Sequence, residues 1–136
     1  MTGSPGNHKL TILLSLFIVG WIAGLLIESS QAPLQILGLV QGLDKVAHFL
    51  AFWGLGLLAC ALSFNLYPRA AIPLFSMPLF IVTLSGIIEE SYQLFVPGRA
   101  ADLLDLLADF CGAACAIILA NRVAYLVRAN KQIRSD

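Results

Sequence analysis

The chain has 136 residues, of which 59% are hydrophobic and only 12% charged, and its formal net charge is zero. The length suits one domain. A soluble fold this small has too little interior for so much apolar surface, so lipid must solvate most of it, and the charge balance gives no basis for a nucleic-acid partner.

Residues 1–8 are short, polar and Gly/Pro-bearing, which predicts a disordered start. Leu10 to Ile27 is an unbroken apolar run, long enough for a first membrane helix. Its Gly20-x-x-x-Gly24 would let another helix approach closely. A cleaved signal peptide is the rival reading, since Ser30-Gln31-Ala32 could pass for a cleavage site. Against it, the run is longer than a usual signal core and only Lys9 supplies basic charge before it.

Residues 28–44 form the first loop, interrupted by Pro33 and rich in apolar side chains. It is read either as an interfacial helix or lid or as a loop packed on the bundle. Val46 to Phe64 is the second span, with Asp44, Lys45 and His48 at its entrance; Asp44 and His48 are four apart and share a face. Residues 65–69 read as a tight turn. The third span runs from about 71 to 93. Pro73 suits a helix start, Pro78 threatens a kink, and Ser85-Gly86 offers a small packing patch. Pro97-Gly98 makes the next turn.

The fourth span runs from about 103 to 121. Ala108, Gly112, Ala116 and Ala120 recur every four residues along it, a small face for close helix contact. The tail from Arg122 is basic and starts as helix. The fold class is therefore an all-α membrane protein, a four-helix transmembrane bundle, with residues 1–136 as one domain. Cys60, Cys111 and Cys115 all lie in apolar runs and read as small hydrophobes.

Six of the eight basic residues (Lys9, Arg69, Arg122, Arg128, Lys131, Arg134) fall on one side of such a bundle. The positive-inside rule makes that side cytoplasmic and puts both termini there. Asp44, Lys45, His48, Glu89, Glu90, Gln93, Arg99, Asp102, Asp105 and Asp109 then gather at the outer side, from three different helices. Ionisable groups near lipid are costly and are read as a functional site by default.

Asp102, Asp105 and Asp109 are three and four apart and line one helix face. Asp109 lies about two turns in, at about 1.5 Å per residue. Six carboxylates face Lys45, Arg99 and His48, and Arg99 is the natural bidentate partner for one of them. The rest must be hydrated, protonated or balanced by a bound cation.

Such a set supports acid–base chemistry, with Glu90, Asp105 and His48 as candidate catalytic groups. It also supports a hard divalent cation held through oxygens. Zinc fits less well with one histidine and no nearby cysteine. A satisfied polar network that holds four helices together is the alternative reading.

Asp44-Lys45-x-x-His48-Phe49, Glu90-x-x-Gln93-x-Phe95-x-Pro97-Gly98-Arg99, Asp105 and Gly112, with their spacing, resemble the VanZ-like family. One departure is Asp109, where that family typically carries asparagine. The resemblance implies a small polytopic protein of the bacterial cytoplasmic membrane, from a family named for teicoplanin resistance. It is expected to bind or exclude an amphiphile, either a lipoglycopeptide or a lipid-linked cell-wall precursor. The expected site is Asp44, Lys45, His48, Glu90, Gln93, Arg99, Asp102, Asp105 and Asp109. An enzyme acting on a lipid-linked substrate, acid–base or dependent on a divalent cation, is the alternative. In that role Arg99 would clamp an anion and His48 would shuttle protons. No cofactor follows from the residues, and membrane lipid is the one general partner they imply.

Overall fold

The structure, a computed structural model, describes residues 6–31, 40, 42–67 and 76–134, the side chain of Lys131 excepted. Those residues form four helices and no strand: α1 (His8–Ser29), α2 (Leu43–Leu66), α3 (Ser76–Gln93) and α4 (Leu103–Ile133). Expected and observed helices agree in number and order. The ends differ where capping or continued apolar sequence extends a helix beyond the hydrophobic run itself.

Asn7 caps α1, its side chain accepting from the Lys9 and Leu10 amides, so the helix starts ahead of the apolar run. Helix α2 begins at Leu43 behind Gly42, which brings Asp44 and Lys45 into its first turn. Asn65 and Leu66 are helical rather than part of a turn. Helix α4 runs on to Ile133, so the tail from Arg122 starts as helix as expected, and Val123, Leu126 and Val127 carry the apolar pattern past the span end at 121. Pro78 lies buried in the first turn of α3, where proline is tolerated. The start of the third span at 71–75, Pro73, most of the first loop (32–39 and 41), and residues 1–5 lie outside the described residues.

Three of the helices, α1, α2 and α4, are long and apolar enough to cross a membrane. Helix α1 explains why lipid is required. Leu13, Leu16, Phe17 and Val19 are all more than half exposed, and Ile18 and Ser29 are the residues of α1 that are buried. A helix this apolar and this bare is stable only in hydrocarbon. The protein is a membrane protein.

Helices α1 and α2 run antiparallel, tied at one end and near the middle. At one end Asn65 accepts from the Asn7 amide (3.2 Å) and donates to Thr11 Oγ1 (2.8 Å). Near the middle Trp21 Nε1 donates to the Ala51 carbonyl (3.1 Å). At the other end α1 meets α3, where Ser29 Oγ donates to Glu89 (2.6 Å). The core between them holds Phe52, Leu55, Ala59, Val82 and Ala113.

The closest pair is α2 and α4. A Cβ on Gly112 would collide with the Phe49 carbonyl oxygen and the Trp53 amide, both backbone atoms that cannot yield. Gly112 and Ala116 are buried and continue the face that carries Asp105 and Asp109. The small-residue face therefore exists, and it brings the acidic stripe against α2. Gly20 and Gly24 do not act this way: a Cβ on either would meet nothing within 4 Å among the described residues. Gly112→Ala should cost about 1–3 kcal/mol through forced separation of α2 and α4. Thermal unfolding in detergent checks this, and an unchanged midpoint would contradict the close packing.

Candidate functional site

Every sequence-predicted site residue lies at the end of the bundle where α1 and α3 finish and α2 and α4 begin. Two of them owe their place to local backbone chemistry. Asp102 is the N-cap of α4, its side chain accepting from the Leu104 amide at 2.8 Å. The turn after α3 closes through Gly98, at φ +82, and the Arg99 amide donates to the Val96 carbonyl (3.1 Å). This turn swings Arg99 back over the end of α1.

Lys45 is the hub of the rim. Its ammonium lies 2.9 Å from Asp44, 2.6 Å from Asp102 and 2.7 Å from Asp105 Oδ1. The first two are hydrogen bonds; the third is an ion contact without hydrogen-bond alignment. Lys45 holds the Asp102 carboxyl below the usual carboxylate range through its hydrogen bond.

Below the rim sits His48, stacked on Phe52 one turn along α2 with ring centroids 6.5 Å apart. Its Nδ1 is 3.0 Å from Asp109 Oδ1 and its Nε2 is 3.9 Å from Asp105 Oδ2. Gly86 on α3 makes room for Asp109: a Cβ there would stand 3.0 Å from Asp109 Oδ2. Gly86 of the Ser85-Gly86 patch thus serves to seat a carboxylate between helices.

Helix α3 supplies Glu89, Glu90 and Gln93, all buried. Glu90 Oε2 accepts from the Asp102 amide (2.8 Å), and Gln93 Nε2 reaches Ser29 Oγ at 3.4 Å. One oxygen each of Glu89, Glu90 and Asp109 is buried without a hydrogen-bond partner: Oε2, Oε1 and Oδ2. Buried polar atoms normally find partners. Three such oxygens in one cluster leave acceptor capacity that the helix contacts do not use.

Arg99 corrects an expectation. Its carboxylate partner is Glu28, at 2.8 Å from Nη2, and not Glu90, Asp105 or another acid of the inner cluster. Its Nε donates to the Gln31 carbonyl (3.0 Å) and its Nη2 also reaches the Glu28 carbonyl (3.2 Å). Arg99 caps the end of α1, where carbonyls lack helical partners. The site expected from the sequence includes neither Glu28 nor Ser29. The signal was thin, since both lie at the end of an apolar run some 60 to 70 residues from their partners. The prediction is asymmetric. Arg99→Gln should destabilise more than Glu28→Gln, by about 1 kcal/mol, because it also empties two carbonyl contacts, whereas an exposed ion pair alone contributes little. Equal midpoints for the two variants in thermal unfolding would contradict the capping role.

A cavity of about 480 Å³ opens at this end. Glu28, Arg99, Asp44 and Asp102 stand around it, His48, Glu89 and Asp105 reach into it, and Leu25, Ala47, Ala51 and Phe52 give it an apolar wall. Seven of the chain's eight acidic residues gather here against Lys45, Arg99 and His48. Chemically the set can hold a cationic group, bind a divalent ion or move a proton.

No curated protein and no solved structure matches the chain. The family profile described as VanZ/LLP1 matches residues 4–126, which spans all four helices up to Leu126. The chain belongs to the VanZ/LLP1 family.

Proposed function

We propose that this protein is a multi-pass protein of the bacterial cytoplasmic membrane, with both termini inside, whose cavity binds the cationic head of an outer-leaflet amphiphile. The ligand class is a molecule that joins an amine to a hydrocarbon chain, as a lipoglycopeptide antibiotic of the teicoplanin type or a lipid-linked cell-wall precursor does. Sequestering such a molecule at the membrane gives the protein its role in antibiotic resistance and in the cell envelope. The observation that carries this reading is the cavity itself, which sets an apolar wall beside an excess of carboxylates. Pockets of this size with few convergent polar groups are the usual form of ligand sites. The side assignment rests on the basic residues, six of which fall at the opposite end in a four-span topology.

The test is equilibrium binding to purified protein in lipid nanodiscs. A fluorescent lipoglycopeptide should bind saturably, its deacylated form should bind more weakly, and Asp105→Asn should weaken both. Equal binding by wild type and Asp105→Asn would sink the assignment of the pocket.

A second reading is an enzyme acting on a lipid-linked substrate, and the unpartnered carboxylate oxygens beside His48 favour it. His48, Glu90 and Asp105 would then move protons. Incubation with labelled lipid extract separates the two, because only an enzyme forms product beyond one equivalent.

A further inference from the structure

We propose that His48, Glu90 and Asp105 form a three-ligand site for a divalent first-row transition cation beside the cavity, with Asp109 orienting the histidine. One side-chain ligand atom from each of the three lies within 4.8 Å of the others, so modest closure around an ion would bring all three into its shell.

The hydrogen bonds around the three residues pick out which atoms face inward. His48 Nδ1 is 3.0 Å from Asp109 Oδ1, and in the neutral imidazole a proton on Nδ1 makes this contact a hydrogen bond to the carboxylate. That leaves the Nε2 lone pair directed to the side where Asp105 Oδ2 stands at 3.9 Å. A histidine held through one nitrogen by a carboxylate, with the other nitrogen free, is the usual arrangement of a metal-ligating histidine. Glu90 is 7% exposed; its Oε2 accepts from the Asp102 amide, and its Oε1 is buried with no partner. Asp105 is divided likewise, with Oδ1 against Lys45 and Oδ2 toward His48. Each residue thus spends one atom on the scaffold and keeps one for a ligand.

Charge points the same way. Glu89 and Asp109 stand directly behind the site, and each keeps a buried oxygen without a partner. Lys45 is shared among three carboxylates at the rim. A dication would offset part of the surplus that remains. One imidazole with two carboxylates suits a first-row transition ion. It falls short of the six to eight oxygens that calcium takes. Asp105 and His48 line the cavity, so water can fill the remaining coordination positions from that side.

The competing set is His48, Glu89 and Asp109, which also lies within 4.8 Å. It would make a ligand of Asp109, the carboxylate that orients the histidine, and so it is the less favoured.

The experiment uses full-length protein in detergent with Mn²⁺ as the probe, free ion being followed by its paramagnetic resonance. Wild type should take up about one Mn²⁺ per chain, with Zn²⁺ competing and excess Ca²⁺ not. The bound signal should show hyperfine coupling to a nitrogen nucleus, absent in His48→Gln. Asp109→Asn should weaken binding by about 10–100-fold, the usual effect of removing an orienting partner, and Glu90→Gln by at least as much. Asp136→Asn, in the C-terminal tail, should change nothing. Helicity and monodispersity of each variant guard against misfolding, and the wild-type nitrogen coupling stands even if a variant fails to fold. Absence of stoichiometric uptake by folded wild type overturns the proposal. So does nitrogen-free binding, or a loss in Glu89→Gln that Glu90→Gln does not share. Because Mn²⁺ is measured without any amphiphile, failure here leaves the amphiphile reading standing, and the reverse also holds.

Discussion

Lys45→Met should destabilise the bundle by about 3 kcal/mol, the lower end of what breaking a buried ion pair costs. Lys45 is the ammonium that Asp44, Asp102 and Asp105 share, all within 2.9 Å. Its side chain is 27% exposed, which places the effect at the lower end. The loss falls on the junction of α2 with the start of α4, because Asp102 caps α4 and also holds Glu90 through its amide. Adding Asp105→Asn should recover part of the loss, since the neutral amide no longer needs a cation. Strict additivity of the two substitutions in a double-mutant cycle would contradict the shared-cation account.

His48→Leu should cost more, about 3–5 kcal/mol, because it strands Asp109, which is 2% exposed, in the core. His48→Leu combined with Asp109→Leu should cost far less, since apolar replacement of both members of a buried pair is often close to neutral. The double variant nevertheless should lose binding in the cavity and any cellular phenotype. Asp109→Asn should fold normally, because an amide oxygen still accepts from Nδ1–H. Quantitative immunoblots of membranes and thermal midpoints supply the stability side; ligand binding supplies the functional side. A double variant that is stable and fully functional would return the pair to a scaffold role. One that is as unstable as His48→Leu would show that the histidine packs rather than pairs.

The site was legible in the sequence wherever spacing along one helix decided it. Asp105 and Asp109 share a face, and Gly112 and Ala116 continue that face against α2. Glu90 and Gln93 likewise point inward together. What spacing could not show was pairing between distant segments. Arg99 and Glu28 are 71 residues apart, and Ser29 and Glu89 are 60 apart. Both contacts depend on α1 ending level with the last turn of α3. Asp102 illustrates a different limit. Its interval to Asp105 fits a helix stripe, but an aspartate at a helix start also fits an N-cap, and the backbone adopts the second. At Gly20 and Gly24 no helix among the described residues makes the close approach that the motif allows, since small residues in an apolar helix permit close approach without causing it. The helical start of the tail was legible too: α4 continues past Arg122 to Ile133, since a basic residue breaks neither the helix nor its apolar pattern.

The central claim is that the acidic end of the bundle faces outward and takes up an amphiphile. Ala100 is exposed and lines the cavity. A single cysteine placed there, with Cys60, Cys111 and Cys115 replaced, reports both parts of the claim in intact cells. Ala100→Cys should react with a membrane-impermeant maleimide without permeabilisation, and prior addition of a lipoglycopeptide should slow that reaction in a saturable way. Labelling only after permeabilisation, or labelling indifferent to the amphiphile at every concentration, would contradict the account.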